Sequence, residues 1–173
     1  MDYPILKVSS DEYTKVIREG CPSCRVDVIN IQPKDIGTPA ATAQMVSKLQ
    51  ADPSTKYAYT VIGDLGTGLA QALKPAGIDD VTIFGQVPNE SSIADLRAGT
   101  SAWWVNQSSR INGMDMIDMA ARISVTGTTQ SDPGGYPLAL LTKDNVPAGT
   151  SAPVVPSDIL DRYRQTWGVN ANG

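Results

Sequence analysis

Short β-rich runs alternate with helical stripes along most of this chain, and that alternation limits the possible folds more than any other feature. Residues 57–62, 81–84 and 101–106 read as strands. Between the first two, Leu65, Leu69, Leu73 and Ala76 recur at helical spacing, and Gly77 closes the stripe. Ile93 and Leu96 ride a helix over residues 91–98 that Gly99 stops. Upstream, Ser10 is placed to cap a helix reaching Arg18, and Gly20 ends it. Residues 25–31 (RVDVINI) then read as a strand with Val26, Val28 and Asn30 on one face, and Ala41, Met45 and Leu49 form a stripe over residues 39–50. Downstream, Ser109 can cap a helix to about Ser124 whose apolar face holds Ile111, Met116, Met119, Ala120 and Ile123. Residues 126–135 are polar and glycine-rich, residues 138–142 can form one more strand, 143–156 are a proline-rich crossover and 158–167 a terminal helix. Repeated β-α units with right-handed crossovers predict an α/β fold: a three-layer, doubly wound, mainly parallel sheet.

Open sheets of this kind bind ligands beyond the carboxyl ends of their strands. Those ends are Ile62-Gly63-Asp64, Gly85-Gln86 and Asn106-Gln107, which should converge on one edge. Composition narrows the chemistry there. The 173 residues carry a net charge of −4, which argues against nucleic acid, since phosphates need a basic face. There is no histidine, which removes the commonest general base and zinc ligand and lowers the prior for an enzyme. No apolar run approaches the roughly 20 residues of a membrane-spanning helix. The start, Met1-Asp2-Tyr3-Pro4, has neither the basic nor the apolar stretch of a signal peptide, so the protein is expected either to be cytosolic or to have lost its natural amino terminus.

The two cysteines stand in Cys21-Pro22-Ser23-Cys24. One such pair without further cysteines or histidines cannot complete a four-ligand zinc site. It follows a helical stretch and precedes a strand, the reverse of the thioredoxin arrangement. A short-loop disulfide in an exported protein is the favoured reading, ahead of reduced bystander thiols and of redox catalysis.

Gly63-Asp64-Leu65-Gly66-Thr67-Gly68 follows a strand and opens a helix. Taken alone it looks like the cofactor turn of an S-adenosylmethionine-dependent methyltransferase. A nucleoside site wants a carboxylate at the end of the next strand, and Ile83-Phe84-Gly85-Gln86-Val87 has none. The simpler reading is that the glycines permit close helix–strand packing.

A third reading comes from the order of short motifs. These are Ala58-Tyr59-Thr60-Val61-Ile62-Gly63-Asp64, Ala72-Leu73-Lys74-Pro75-Ala76-Gly77, Val81-Thr82-Ile83-Phe84-Gly85, Leu96-Arg97-Ala98-Gly99, Val105-Asn106-Gln107 and the run from Gly113 to Arg122. With the late Leu140-Leu141-Thr142-Lys143-Asp144-Asn145-Val146 and the Trp167-Gly168-Val169 tail, the chain resembles the second lobe of type I periplasmic solute-binding proteins, the sugar-type receptors of ABC importers. The segment around Cys21 and Cys24 also resembles a cysteine pair found in some exported members.

The resemblance implies a ligand-binding lobe over residues 1–125, crossover segments, a late strand and a terminal helix over 126–173, and an absent first lobe. It implies a non-catalytic binding protein with no cofactor and no metal, a small polar, sugar-like solute, an ABC permease as partner of the parent protein, and a periplasmic or cell-surface location. By position it implies Asp64 and Gln107 as ligand-binding residues, with Gln86 or Asn89 substituting for an aspartate the family often carries after the third strand. Trp103 is a candidate stacking ring, although Trp103 and Trp104 also read as packing residues on opposite sheet faces. The family's opening strand would come just before Asp2-Tyr3-Pro4-Ile5-Leu6, or else residues 3–8 could serve as that strand. The helix from Gly113 to Ile123 would lose its cover with the first lobe, which predicts an exposed methionine-rich face and self-association. A lactose-repressor-type effector lobe, which shares the fold, and a methyltransferase fragment are the alternatives.

Overall fold

The alternating pattern builds one four-stranded sheet in the order β1 (Tyr57–Thr60), β2 (Thr82–Gln86), β3 (Trp103–Gln107) and β4 (Leu138–Thr142). The structure, a computed structural model, describes residues 4–128, 137–149, 151–154 and 156–169. β1, β2 and β3 run parallel and β4 closes the edge antiparallel to β3. Six α-helices accompany the sheet among the described residues: α1 (Pro4–Gly20), α2 (Pro39–Ala51), α3 (Leu69–Leu73), α4 (Glu90–Ala98), α5 (Ser109–Thr126) and α6 (Ile159–Thr166).

Period-two alternation sorts the strand side chains onto two faces. Register places Ala58, Thr60, Ile83, Gly85, Trp104, Asn106 and Leu141 on one face, and this face carries the core. Met45 and Leu49 of α2, Leu69 and Leu73 of α3, and Ile93 and Leu96 of α4 pack on it in a single cluster. Fully burying each such aliphatic side chain contributes about 1.5–3 kcal/mol. Trp104 is the largest of these residues; its indole nitrogen donates to Ser101 Oγ at 3.0 Å, so its burial leaves no orphaned donor. Gly85 makes room for that ring, since a Cβ there would sit 2.7 Å from the indole and 2.5 Å from the Thr60 carbonyl.

The opposite face holds Tyr57, Tyr59, Phe84, Trp103, Val105, Leu138 and Leu140. α1 reaches it: Tyr13 stacks on Tyr59 with ring centroids 4.1 Å apart. No residue of α1 is fully buried.

Three expected elements form differently. Residues 25–31 join no strand ladder, although their composition suits one. Residues 4–8 of the stretch that could have served as an opening strand lie inside α1, which begins at Pro4 rather than near Ser10; proline suits the first turn of a helix because its missing N–H has no intrahelical partner there. The stripe from Leu65 to Ala76 is broken into a 3-10 turn over Gly63–Gly66, the short α3, and a second 3-10 turn over Lys74–Ala76. Gly68, left-handed at φ 78°, and Pro75 account for the two interruptions.

The cysteine pair is bonded, with Cα atoms 5.3 Å apart, directly after α1. No helix is long and apolar enough to cross a membrane, and no cluster of metal-ligating side chains occurs among the described residues.

Candidate functional site

The parallel strands β1, β2 and β3 deliver their carboxyl ends to one edge, and two backbone hydrogen bonds stitch the loops there together. Gly63 N donates to the Val87 carbonyl at 3.0 Å, and Val87 N donates to the Val105 carbonyl at 2.8 Å. Val87 holds φ at 49°, the one non-glycine residue at positive φ among the described residues. A β-branched side chain in that region is strained, and the two hydrogen bonds keep it there.

Asp64 and Asn89 meet at this edge. The Asn89 amide nitrogen donates to Asp64 Oδ1 at 2.7 Å and to Thr67 Oγ1 at 2.9 Å. Its oxygen accepts from the Ser92 backbone and hydroxyl, both at 3.0 Å, and so caps α4. Asn89 therefore uses both donors and its acceptor within the protein. Asp64 is exposed, and its second carboxylate oxygen has no partner among the described residues. Asn89 holds the carboxylate; Asp64 is the group that presents an acceptor to solvent.

The glycines of the turn are consumed by packing. A Cβ on Gly63 would lie 2.5 Å from the Asn89 backbone nitrogen, and one on Gly66 would lie 3.3 Å from the Thr60 side chain. Thr67 is pinned from the other side, where Thr42 Oγ1 of α2 donates to its carbonyl at 2.8 Å. Under this turn the Thr60 hydroxyl is buried without a hydrogen-bond partner among the described residues.

Gln86 and Gln107 are the last residues of β2 and β3, both half-buried and both on the sheet face opposite the core. They share the edge with Asp64 but not its hydrogen-bond network. Beside Gln107, Asn106 turns to the core face and donates to the Pro153 carbonyl at 2.6 Å, which fixes the crossover segment. Trp103 is the first residue of β3, four residues before Gln107 and so about 13 Å back along the strand. It stacks on Phe84 at 4.5 Å and extends an aromatic row from Tyr13 and Tyr59. Its contacts are those of a packing residue.

Sequence reading did not single out Thr67, Ser92 or Val87. The Asn89-x-x-Ser92 capping spacing was a usable signal for Ser92. Nothing in the letter Val announces a positive φ.

No protein-family model and no curated protein matches the sequence. Solved structures do. A carbohydrate transporter solute-binding protein from Agrobacterium radiobacter, in complex with D-arabinose, aligns with TM-score 0.66 and 20% identity over 78% of this chain and 45% of its own. An ABC sugar transporter subunit from Rhodobacter sphaeroides aligns with TM-score 0.65 and 20% identity over 82% of this chain and 52% of its own. A protein from Bacteroides fragilis described as a LacI transcriptional regulator aligns with TM-score 0.63 and 16% identity over 82% of this chain and 48% of its own. The chain thus spans about half the length of the structures it matches. With a mostly parallel sheet, helices on its two faces and this half-length match, the chain has the fold of one lobe of a type I periplasmic binding protein.

Proposed function

We propose that this chain is the ligand-binding lobe of the substrate-binding component of an ABC importer for a sugar or a similar small polar solute, and that it is not an enzyme. The observation that carries the reading is the exposed Asp64 carboxylate, held by Asn89 at the carboxyl ends of parallel strands. Sugar hydroxyls donate to such a carboxylate, and the primary amides of Gln86 and Gln107 can both donate and accept beside it. The solute is then clamped when a second lobe closes over this edge, and the closed pair is what the permease reads. The disulfide after α1 supports a periplasmic or cell-surface setting for the parent protein. The same disulfide weighs against the second reading, a cytoplasmic effector lobe of the LacI type, which the Bacteroides match keeps in view.

The test is a nitrogen-15 NMR titration of the chain with D-arabinose, allitol and myo-inositol at millimolar concentration. Expected are shifts confined to the amides around Asp64, Asn89 and Gln107 with at least one of the three, lost in Asp64→Ala. Contacts from one lobe alone bind weakly, so the shifts should be in fast exchange. Stabilisation by S-adenosylmethionine with no response to any polyol would overturn the reading.

A further inference from the structure

β4 pairs with β3 alone among the described residues and forms one edge of the sheet. Which of its backbone groups face outward follows from β3. The Val105 carbonyl accepts from Val87 N at 2.8 Å, so Val105 directs its backbone groups toward β2, and Trp104 and Asn106 direct theirs toward β4. Their register partners, Leu141 and Ala139, complete the ladder between β3 and β4. Leu138, Leu140 and Thr142 therefore point N–H and C=O away from the sheet.

An outward row of this kind is a template for another strand. This one is self-complementary. A two-fold axis at Leu140 would set Leu140 opposite Leu140 of a second copy, and Leu138 opposite Thr142, all as hydrogen-bonded antiparallel pairs. Leu138 and Leu140 are also 63% and 56% exposed on the face away from the core. The same pairing would bring leucines of the two copies side by side, which favours it further.

The chain occupies this edge with its own side chain. Asn145 Nδ2 donates to the Leu140 carbonyl at 2.9 Å, and Asn145 Oδ1 accepts from Thr142 N at 2.7 Å. One primary amide thus makes the donor and acceptor contacts that the backbone of a neighbouring strand would make. The Thr142 carbonyl is used as well, accepting from Val146 N at 3.0 Å. The turn that presents Asn145 is fastened by other residues. Val146 packs against the core cluster, and Arg97 of α4 donates to the Pro147 carbonyl. Lys143 lies over the end of α4, where a Cβ on Gly99 would sit 3.1 Å from its Nζ. The amide is held in place by contacts it does not make itself.

From this geometry we infer that Asn145 is a built-in edge stop: its side-chain amide stands in for a β-strand on the outer side of β4 and prevents edge-to-edge pairing with a second copy of this chain. Pairing centred on Leu140 needs the Leu140 carbonyl and Thr142 N, and these are the two groups that Asn145 takes. The stop acts on the edge where exposed leucines would otherwise reward association.

Sedimentation velocity on the full chain at high micromolar concentration tests this, in a Met116→Lys, Ile117→Lys background so that the exposed apolar face of α5 does not contribute. Adding Asn145→Ala should convert the monomer to a dimer, and exchange of the Leu140 amide should then slow by about 10-fold or more as concentration rises. Adding Leu140→Lys as well should return the monomer. An Asn145→Ala variant that stays monomeric would overturn the inference. So would a dimer that survives Leu140→Lys, because the contact would then lie elsewhere. The chain without any substitution supplies a check that no folding defect can blur. Relative to their intrinsic rates, Thr142 N should exchange at least about 10-fold more slowly than Leu140 N, although both face outward. Equal protection at the two amides would show that Asn145 does not hold the edge. Neither readout involves a solute, so the result stands apart from the proposed function.

Discussion

The two faces of the sheet are built from the same strands, yet one is a closed core and the other is covered only in part. On the core face Trp104, Ile83 and Leu141 are all at most 4% exposed beneath α2, α3 and α4. On the other face Phe84 is buried at 8% exposure beside Tyr13, Tyr59 and Trp103, but Tyr57, Leu138 and Leu140 are more than half exposed. Apolar composition is similar on both sides. What differs is whether neighbouring chain arrives to use it, so apolar alternation marks a strand but does not say which face is buried.

Truncation on each face should break or sharpen that contrast most strongly. Trp104→Ala empties the largest buried volume and leaves Ser101 Oγ without its donor, so it should cost about 3–5 kcal/mol in urea unfolding. Leu140→Ala on the other face should cost less than about 0.5 kcal/mol. Equal losses would mean that the exposed face is covered in solution.

The same logic applies to α5. Ile111 anchors its start at 2% exposure, while Met116 and Ile117 are 70% and 56% exposed. An uncovered apolar stretch of this kind drives association. The chain is expected to self-associate at high concentration in light scattering, and the double variant Met116→Lys, Ile117→Lys should be monodisperse and monomeric. A wild-type monomer at several hundred micromolar would sink this expectation.

Next in size is the strain at Val87. Glycine takes a φ of 49° without the clash a β-branched residue meets, so Val87→Gly should raise stability by about 1 kcal/mol despite its entropic cost. A loss of stability instead would show that the Val87 side chain has a packing role exceeding its strain.

Much of the core face was legible in the sequence because its signals are local. The Ala41, Met45, Leu49 stripe is buried as spaced, Gly99 ends α4 in the left-handed conformation, and Trp103 and Trp104 fall on opposite faces. Residues 25–31 misled because strand identity depends on a hydrogen-bonding partner that local pattern cannot supply. At the candidate site, Asp64 and Asn89 could be named from strand ends, but their mutual hydrogen bond could not: it depends on a glycine at position 63 admitting the start of α4 to 2.5 Å from a would-be Cβ. Gln86 and Gln107, named from strand ends, are the last residues of β2 and β3, while Trp103, named for its ring chemistry, is the first residue of β3 and stacks on Phe84.

The smallest expected effect compares two aspartates whose shifts have opposite signs. Asp95, on α4 at 6% exposure, has its carboxyl raised by burial, partly offset by hydrogen bonds from Gln71 Nε2 at 2.6 Å and from Thr100. The folded state therefore holds this proton more tightly than the unfolded chain does. Its contribution to stability is complete below the ordinary aspartate value of 3.8 and is lost as pH rises through the raised value. Asp118, between α5 and α6, is lowered by hydrogen bonds from Arg122 Nε and Trp167 Nε1, so its contribution is present above the ordinary value and is lost as pH falls through the lowered one. Asp95→Asn should flatten the decline in stability on the alkaline side of pH 4, because the amide oxygen still accepts from Gln71 and no charge has to be kept out of water. Asp118→Asn should flatten only the acid side and lower stability at neutral pH by weakening the α5–α6 contact. Urea midpoints for both variants from pH 3 to 7 check the pair, and a change on the same side of pH 4 in both would show that the core-face carboxyl is not governed by its burial.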